Sequence, residues 1–458
     1  MTGMLPSALA ARLESILGGK RLFTDPVDCY AYAYDNTRKV FPPSAVAFPE
    51  TADEVQRIVD ACSELRVPVV ARGRGTGTAG GSLPERGGVV LSLERMRRIV
   101  RMDPANRVVV VEPGVLNQEV QDAAARHGYF WPPDPSSASY SSVGGNLATC
   151  AAGPHAVKYG TTRDHVLGLK AVTGTGTLIR TGYYTTKGVV GYDFTRLIIG
   201  SEGTLAVIVE ATLKLTPKPA SVGGVIVHYR DSASCADAIV AIMGQPRTPS
   251  ALEFLDAGSL SLLRSHHPGL VPDDAQATLM IEVDGSTSEV EESAAALLAA
   301  CANAGLVQAE QSRESGQLWA ARKALSPLLR DIAPKKINED VAVPVSRLPE
   351  LLDGLARLST KHRVPNVNFG HAGNGNIHVN LLVDPGRGDE LKRAEACLEE
   401  VFDLVVALGG TLSGEHGVGS EKRAFIAKEL DAATIGLMKQ VKRVFDPNDI
   451  LNPGKLFP

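Results

Sequence analysis

Residues 67–81 read VPVVARGRGTGTAGG, in which an apolar strand pattern runs directly into a glycine-rich turn. Glycine has no Cβ, so such a turn lets backbone N–H groups approach an anion closely. We therefore interpret residues 71–81 as a cradle for a pyrophosphate, with a glycine-rich hairpin that binds nothing as the alternative. The turn is not a Walker loop, because no Gly-Lys-Ser or Gly-Lys-Thr follows, and it opens no long helix as a Rossmann fingerprint does.

A second stretch of small residues covers 141–165 and reads SSVGGNLATCAAGPHAVKYGTTRDH. A flat ring system and a polyol chain would be able to lie against the backbone here, at Gly144, Gly145, Ala148, Ala151 and Gly153. Ser141, Asn146 and Thr149 supply polar partners. Two such stretches in one chain favour a large, extended ligand.

The composition indicates a globular protein with more than one domain. The chain has 458 residues, of which 44% are hydrophobic and 21% charged, so two or three domains are expected. A net charge of -4 gives no general attraction to nucleic acid, and we expect no nucleic-acid partner. Six scattered cysteines form no Cys-x-x-Cys pair, which argues against an iron-sulfur cluster or zinc ribbon held by this chain alone.

The beginning of the chain predicts an amphipathic helix. Leu5, Leu9, Leu13, Ile16 and Leu17 follow helical spacing and precede a glycine pair. The segment lacks the features of a signal peptide, and no segment has the length and apolarity of a membrane span. We expect a cytoplasmic location, with peripheral association at the inner membrane as the alternative.

Strand and helix patterns alternate in the first half of the chain. Strands are predicted at 44–49, 67–72, 88–93 and 107–114, with helices at 51–65 and 115–128. These elements together suggest one compact α/β subdomain. Residues 166–182 then predict a hairpin that turns near Gly174, and residues 203–217 predict a long strand.

A proline-containing segment, TPKPAS at 216–221, marks a boundary. Beyond it, strands are predicted at 223–229, 251–256, 279–285, 340–344 and 376–383, and helices near 232–244, 287–304, 346–362 and 388–408. This order is typical of an α+β domain with helices on one face of the sheet. We divide the chain into residues 1–220, residues 221–412, and a segment 413–458 that is expected to pack back on the first domain.

Residues 371–380, HAGNGNIHVN, place two imidazoles beside glycines. His371 is expected at the edge of a loop, and His378 and Asn380 share one face of the following strand. Downstream, SGEHGVG supplies Glu415 and His416 in another glycine-flanked turn. Two imidazoles and a carboxylate suit zinc or a similar divalent ion and leave a position for substrate. The alternative is a pair of surface-loop histidines without a ligand.

The order of these motifs resembles a known family. The segments 68–81, 132–153, 197–215 and 452–457 resemble the vanillyl-alcohol-oxidase-type FAD-binding fold. Combined with WAARKAL at 319–325, 368–380 and 413–419, they resemble the branch of glycolate oxidase D-subunits, D-lactate dehydrogenases and D-2-hydroxyglutarate dehydrogenases. The resemblance spans nearly the whole chain. It implies an α+β fold with a two-subdomain, PCMH-type FAD-binding domain and an antiparallel-sheet α+β substrate domain, called the cap.

The resemblance also implies which residues hold FAD. At the pyrophosphate these are Arg72, Gly73, Arg74, Gly75, Thr76, Gly77, Thr78, Gly80 and Gly81. Near the flavin and its chain they are Pro133, Asp134, Ser137, Ser141, Gly144, Gly145, Asn146, Thr149, Ala151, Gly153, Glu202, Gly203, Ile208 and, in the C-terminal motif, Asn452. Members that attach the flavin covalently at this loop carry a histidine where this chain has Thr76, so non-covalent FAD is expected.

For the substrate site, the resemblance implies three metal ligands, His371, His378 and Glu415, with zinc as the expected ion and Mn²⁺ or Fe²⁺ as alternatives. It implies His416 as the base, and Arg322, Asn380 and Lys336 as substrate contacts. Ser326, one helical turn after Arg322, would share the same helix face and is a further candidate contact. Two of these assignments have alternatives. Arg322 would otherwise form a salt bridge on a helix surface, and His416 would otherwise orient Glu415.

The implied reaction is the FAD-dependent oxidation of a D-2-hydroxy acid such as D-lactate, glycolate or D-2-hydroxyglutarate to the 2-oxo acid. Two alternatives stay open: a flavin-carrying electron-relay subunit of a larger complex, and a sugar or lactone oxidase of the same fold. The electron acceptor is also open among quinone, cytochrome, an electron-transfer flavoprotein and a partner subunit. A homodimer is left open as an assembly.

Overall fold

A computed structural model describes residues 5–312 and 316–458 of the protein. In chain order the helices of these residues are α1 (Ser7–Leu17), α2 (Pro26–Cys29), α3 (Ala52–Glu64), α4 (Asn117–Ala125), α5 (Val143–Thr149), α6 (Ala156–Tyr159), α7 (Phe194–Ile198), α8 (Ser232–Gly244), α9 (Ala257–His266), α10 (Thr287–Ala300), α11 (Gly316–Leu328), α12 (Leu348–His362), α13 (Glu390–Ala407), α14 (Ile426–Glu429) and α15 (Ala432–Phe445). None of these helices combines the length and the apolarity needed to cross a membrane.

The strands follow the same order. They are β1 (Leu22–Phe23), β2 (Ala45–Ala47), β3 (Val69–Arg72), β4 (Val89–Ser92), β5 (Ile99–Asp103), β6 (Val108–Val111), β7 (Tyr129–Phe130), β8 (Val166–Thr173), β9 (Leu178–Gly182), β10 (Ala206–Lys214), β11 (Thr216–Pro217), β12 (Ser221–Tyr229), β13 (Ala251–Leu255), β14 (Ala277–Gly285), β15 (Leu306–Ser312), β16 (Lys335–Ala342), β17 (Asn366–His371) and β18 (Asn376–Val383).

The chain divides into two compact units. The first unit contains residues up to Ala152, Gly160–Lys218 and Glu415–Pro458. The second contains Gly153–Tyr159 and Pro219–Gly414. Each unit is built around its own sheets.

Two main sheets form the first unit. One has the order β1-β2-β4-β3, with β2, β4 and β3 parallel, and the other is the antiparallel sheet β5-β6-β10-β8-β9. The expectation of one α/β subdomain across residues 44–128 was therefore wrong, because β6 pairs with β5 and the distant β10 rather than with β4. The hairpin at 166–182 is confirmed as β8 and β9.

The packing of the first sheet follows from amphipathic helices. α3 begins at the N-cap Thr51, whose side chain accepts a hydrogen bond from the N–H of Glu54, and it buries Val55, Ile58 and Val59. α1 packs on α3 and buries the predicted Leu9, Leu13 and Leu17, while the first four residues of the chain lie outside the described range. The segment after α15 also joins this unit, because Leu451 forms a parallel bridge with Val69.

A seven-stranded antiparallel sheet, β15-β12-β14-β13-β17-β18-β16, forms the second unit. β13 and β18 are buried along their whole lengths, so both faces of the sheet are covered. α8 and α10 pack against β12 and β14, while α9 and α11 bury their apolar side chains with Met280, Phe369 and Leu382 on the other face. The expectation of helices on one face was wrong because α9 was missed. The α+β class and the antiparallel sheet are confirmed.

The register of this sheet places polar residues on one face. Paired residues of antiparallel strands point to the same side. Glu253 is paired with His371, Phe369 with His378, and Asn380 with both Val367 and Asn338. α11, through Leu318, Ala321 and Leu325, and the 3₁₀ turn after it, through Leu329, cover this face. The sheet and the helix therefore set the positions of the candidate site residues in this unit.

Candidate active site

The glycine-rich loop follows β3 at the carboxyl ends of the parallel strands. Gly75 and Gly80 have positive φ angles of 65° and 75°, a region where residues other than glycine are strained. A Cβ built at Gly77, in contrast, would meet no atom of the described residues within 4 Å beyond its chain neighbours. Packing therefore does not explain the glycine at 77. An open backbone at this point fits the approach of an anion such as a pyrophosphate.

Arg72 supports the loop from inside the protein. Its Nη2 donates to the carbonyl oxygen of Tyr34 at 2.7 Å, and its Nη1 donates to Oγ of Ser82 at 3.3 Å. Burial lowers the pKa of this guanidinium. The side chain fixes the base of the loop, and its assignment as a direct FAD contact stays a prediction.

Hydrogen bonds of Glu202 and Asn452 connect the glycine-rich loop with the segments around residues 202, 418 and 452. The Glu202 carboxylate accepts hydrogen bonds from the N–H groups of Val418 and Gly419 at 2.7 and 2.8 Å, and burial raises its pKa to about 7. Asn452 Nδ2 donates to the carbonyl oxygens of Gly81 and Glu202, both at 2.7 Å. The Asn452 Oδ1 is buried and has no hydrogen-bond partner within residues 5–312 and 316–458. An unsatisfied buried acceptor beside the loop also fits a polar cofactor.

A residue that the sequence reading missed connects the second small-residue stretch. Asn117, which has 0% of its surface exposed, donates from Nδ2 to the carbonyl oxygen of Pro133 at 2.9 Å and to Oδ1 of Asn146 at 3.2 Å. Asn146 in turn donates to Oγ of Ser141 at 3.2 Å. The structure thus brings three predicted cofactor residues together. Their shared partner lies in α4, where only its polar side chain on a buried helix face could have marked it.

The other predicted cofactor residues have mixed surroundings. Gly144 packs on Pro113, where a Cβ would lie 2.6 Å from the proline Cβ, so its need for glycine comes from packing. Thr149 Oγ1 donates to the carbonyl oxygen of Gly145 at 3.3 Å. Gly153 belongs to the second unit. The remaining ones keep their status as predictions, and these are Gly73, Arg74, Thr76, Thr78, Asp134, Ser137, Ala151, Gly203 and Ile208.

In the second unit, a tight hairpin brings the two histidines together. His371 ends β17, a 3₁₀ turn follows at Ala372–Asn374, and His378 lies in β18. The two rings contact each other edge to face, with centroids 5.2 Å apart. The prediction that a loop and a strand bring both imidazoles to one place is therefore correct for this pair.

Glu253 is the second residue that the sequence reading missed. One carboxylate oxygen is hydrogen-bonded to Nδ1 of His371, and the other lies 2.8 Å from Nη2 of Arg322. Burial alone would raise the pKa of Glu253, but His371 and Arg322 reverse this effect and lower it to about 2. An ionised Glu253 requires the proton of His371 on Nδ1, so a metal ion would be bound through Nε2.

Arg322 lies on α11 with its guanidinium over the ring of Phe369, at 4.5 Å from the centroid. It is mostly buried and paired with Glu253, so it is not a surface ion pair. Its Nε is buried and has no hydrogen-bond partner in the part of the chain that the structure describes. A guanidinium with an unsatisfied donor is suited to a carboxylate ligand.

Lys336 and Ser326 also meet. Lys336 Nζ donates to Ser326 Oγ at 2.6 Å and to the Ser326 carbonyl oxygen at 3.3 Å. Burial, assisted by the charge of Arg330, lowers the pKa of Lys336 to about 8. Two of the predicted substrate contacts thus form one polar pair.

Asn380 is engaged by the sheet itself. Its Nδ2 donates to the carbonyl oxygens of Val367 and His378 at 2.9 and 3.2 Å, and its Oδ1 accepts from Asn338 at 2.6 Å. Both amide hydrogens are used within the protein. A substrate contact through this side chain stays a prediction, with only the oxygen able to accept another bond.

Glu415 and His416 belong to the first unit, where His416 Nε2 lies 3.9 Å from Glu415 Oε1. Glu415 is bonded to Gly414, the last residue of the second unit. The N–H of Gly414 donates to the carbonyl oxygen of Asp340 at 3.1 Å. This hydrogen bond to β16 thus fixes the residue that directly precedes Glu415 and His416.

Two family models match the chain. A model described as FAD linked oxidases, C-terminal domain, matches residues 218–456, and one described as an FAD binding domain matches residues 43–182. The chain is 39% identical over 459 residues to glycolate oxidase subunit GlcD of Bacillus subtilis (strain 168), covering 99% of this chain and 97% of that one.

Two further comparisons extend this result. The chain is 34% identical over 468 residues to D-2-hydroxyglutarate dehydrogenase of Stutzerimonas stutzeri (strain A1501), covering 99% of this chain and 100% of that one. A solved structure of p-cresol methylhydroxylase with substrate bound matches with a TM-score of 0.80 and 19% identity, covering 99% of this chain and 98% of that one. The latter shows the shared fold, with its PCMH-type FAD-binding domain and its cap. The chain therefore belongs to the FAD-linked oxidase family.

Proposed function

We propose that this protein oxidises a D-2-hydroxy acid to the 2-oxo acid, using FAD and a divalent metal ion. The observation that carries the proposal is the arrangement on one face of the second unit's sheet. There His371, whose ring contacts that of His378, shares the carboxylate of Glu253 with Arg322, so a metal-binding group and a carboxylate-binding group lie side by side. A 2-hydroxy acid presents a hydroxyl and a carboxylate on adjacent carbons, which matches that pairing. The relatives' names, glycolate oxidase subunit and D-2-hydroxyglutarate dehydrogenase, support the same substrate class.

The proposed metal ligands are His371, His378 and Glu415, which offer two imidazole nitrogens and one carboxylate oxygen. This donor set suits zinc and leaves coordination positions for substrate, while Mn²⁺ and Fe²⁺ are the alternatives. Chain connectivity supports including Glu415. The N–H of Gly414 donates a hydrogen bond to the carbonyl oxygen of Asp340, and Asp340 is paired with His378 in the sheet. Glu415 follows Gly414 directly, with its Cα about 3.8 Å from that of Gly414 across a trans peptide.

The protein's own residues would then have separate roles in substrate binding, proton transfer and support of the cofactor loop. Arg322 binds and orients the substrate carboxylate, with Phe369 holding the guanidinium plane. His416 accepts the proton of the substrate hydroxyl. Lys336 and Ser326 supply a further donor pair, which would bind a second carboxylate if the substrate is a dicarboxylate. The side chains behind the glycine-rich loop, Glu202 and Asn452, keep that loop in place.

Two bound groups would supply the remaining chemistry. FAD, when bound, would supply the acceptor for the α-hydrogen and its electron pair. A divalent ion, when bound, would supply the positive charge that makes the substrate hydroxyl more acidic. We expect non-covalent FAD because Thr76 offers no nucleophile comparable to histidine.

A second candidate is an electron-relay subunit, which is favoured by the word "subunit" in the name of the Bacillus relative. In either case, an electron acceptor must reoxidise the flavin, and a quinone, a cytochrome, an electron-transfer flavoprotein or a partner subunit would serve. A cytoplasmic location with contact to a membrane-bound acceptor is compatible with both functions.

An anaerobic substrate panel tests the proposal. The purified full chain with FAD is mixed with D-lactate, glycolate or D-2-hydroxyglutarate, and flavin absorbance is followed, with L-lactate and L-2-hydroxyglutarate as controls. At least one of the first three should bleach the flavin, and chelator treatment should abolish the bleaching until Zn²⁺ or Mn²⁺ is returned. If all three leave the flavin oxidised, hydroxy-acid oxidation by this chain alone is wrong. Bleaching that appears only after a partner subunit is added would favour the relay subunit.

A further inference from the structure

We propose that Glu253 is a positioning residue that couples the metal-binding histidine to the carboxylate-binding arginine. This inference rests on the proposed function, in which His371 binds the metal ion and Arg322 binds the substrate. Glu253 itself would touch neither ligand, and it would act by fixing the two side chains that do.

The first support is the geometry of the shared carboxylate. Glu253 lies in β13 directly opposite His371 in β17, so strand pairing fixes the distance between their backbones. One carboxylate oxygen is hydrogen-bonded to Nδ1 of His371, while the other is 2.8 Å from Nη2 of Arg322. The Glu253 side chain is only 1% exposed. Each oxygen thus has a separate charged or polar partner, and water does not compete for them.

The second support is that the two partners are restrained from other sides as well. Arg322 stacks on Phe369, and its helix is anchored in the core by Leu318 and Leu325. His371 is at the end of a strand whose hairpin to β18 is fixed in register. A rigid carboxylate between two restrained groups transmits a displacement of one group to the other. Metal binding to His371 and carboxylate binding to Arg322 should therefore affect each other.

The chemistry of the carboxylate explains why its charge matters. A neutral amide has one acceptor oxygen and one donor NH₂ group, whereas both neighbours of Glu253 are donors. In Glu253→Gln, either Arg322 faces an NH₂ group, or His371 must accept a hydrogen bond through Nδ1. The second arrangement puts the proton of His371 on Nε2, the nitrogen that the metal requires. Each arrangement disables one of the two partners.

A buried carboxylate with a purely structural role would behave differently. Its replacement would lower the stability of the protein without a selective effect on metal or substrate. Asp256 provides a matched control, because it is a half-buried acidic residue just beyond the end of β13, and burial raises the pKa of its carboxylate to about 6. It accepts hydrogen bonds from the N–H groups of Ser259 and Asn368, at 2.8 and 2.6 Å, and it caps α9. Asp256→Asn keeps an acceptor at this cap.

The test uses the full chain loaded with FAD, after removal of metal by a chelator. The affinities of Glu253→Gln, Asp256→Asn and the wild type for Zn²⁺ and Mn²⁺ are measured by competition with a chromophoric chelator. We expect Glu253→Gln to bind each metal roughly 10- to 100-fold more weakly, as for other residues that orient metal-binding histidines. We also expect its KM for the hydroxy acid at saturating metal to rise by a larger factor than kcat falls. FAD content should equal that of the wild type.

Three results separate the hypotheses. Metal affinity of Glu253→Gln within twofold of that of Asp256→Asn, together with an unchanged KM, would overturn the positioning role. If no hydroxy acid reduces the wild-type flavin, the proposed function fails, and the metal titration still decides the role of Glu253 toward His371. If Glu253→Gln does not fold, Glu253→Asp carries the test, because it keeps the charge but is too short to reach both partners. In that variant a loss of metal affinity or a raised KM supports the proposal, and the absence of both effects contradicts it.

Discussion

The ammonium of Lys336 donates a hydrogen bond of 2.6 Å to the hydroxyl of Ser326, linking β16 to α11. The two residues come from different elements, ten positions apart in the sequence. Burial, with the nearby charge of Arg330, lowers the pKa of Lys336 to about 8. A group with this pKa changes its charge close to physiological pH, so its contribution to substrate binding should depend on pH.

We expect kcat/KM for the hydroxy acid to fall as pH rises through about 8. Below this pH, Lys336 is an ammonium that attracts a carboxylate, and above it the charge is lost while the substrate stays ionised. Lys336→Arg should move this alkaline limb to higher pH because a guanidinium stays charged. A pH profile of flavin reduction from about pH 6 to about pH 10 measures both. An identical limb in Lys336→Arg would assign it to another group.

The base assignment of His416 has a separate test. We expect His416→Ala to retain FAD and metal but to reduce its flavin roughly 10²- to 10⁴-fold more slowly, the usual contribution of a positioned general base. Rapid mixing with substrate under anaerobic conditions measures this rate directly. His362→Ala, which removes a histidine that pairs with Glu400, is the control. An unchanged rate in His416→Ala would leave His416 only the alternative role of orienting Glu415.

Removing one proposed metal ligand should leave the flavin in place. The residues that support the glycine-rich loop lie in the first unit, whereas His378 lies in the second. We therefore expect His378→Gln to lose most of its bound metal, measured by elemental analysis of the purified chain, and to keep a normal flavin spectrum. Full metal content in this variant would exclude His378 as a ligand. His228→Gln is the control, because the His228 imidazole is hydrogen-bonded to Thr278 elsewhere in the sheet. This variant should keep its metal.

Local structure was predictable to a large extent because it depends on short-range patterns. The capped helix at 51–65, the hairpin near Gly174 and the strand containing His378 all carry periodic apolar residues and turn residues. Strand pairing was not predictable in the same way. The division of residues 44–128 between two sheets depends on β10, which is distant in sequence and pairs with β6. Such a partner leaves no signal in the local pattern of β6.

The site residues show the same contrast. Histidine and glycine clusters at 371–380 were visible because metal-binding chemistry uses these residue types. Glu253 and Asn117 were missed because each is a single polar residue within an ordinary strand or helix. Glu253 did carry a weak signal, since it is a charged residue among the apolar residues of ALEFL. Recognising its partners required the pairing of β13 with β17.

Glu202 gives a prediction about stability and pH. Its pKa in the folded protein is about 7, above the ordinary value of 4.5. The folded state therefore binds more protons than the unfolded state between these values. The resulting stabilisation is complete below about pH 4.5 and is lost as pH rises through about 7. In Glu202→Gln this dependence should disappear.

Denaturant unfolding of the wild type and Glu202→Gln, followed by the fluorescence of the buried Trp131, measures this effect. The free energy of unfolding of the wild type, relative to the variant, should be higher at pH 5 than at pH 8. The rise of the Glu202 pKa from 4.5 to about 7 limits this difference to roughly 3 kcal/mol. A constant difference across this range would show that Glu202 has the same pKa in the folded and unfolded states.

Asn452 should be required for the glycine-rich loop to keep its FAD-binding shape. Its side-chain amide donates hydrogen bonds to the carbonyl oxygens of Gly81 and Glu202. Its backbone φ of 43° is tolerated by asparagine but would be strained for alanine. We expect Asn452→Ala to lower the free energy of unfolding by roughly 2–4 kcal/mol and to release FAD more easily.

Two further variants separate the causes of this effect. Asn452→Gly accepts the positive φ, so any weakening of FAD binding that it shares with Asn452→Ala comes from the lost hydrogen bonds. Asn448→Ala removes another asparagine of the same segment. Its side chain donates a hydrogen bond to Ser63 Oγ at 3.0 Å and, among the residues that the structure describes, makes none to the loop. This variant should lower stability without weakening FAD binding. Titration of FAD into the apoprotein measures the Kd, and equal Kd values for Asn452→Gly and the wild type would show that these two hydrogen bonds do not shape the cofactor site.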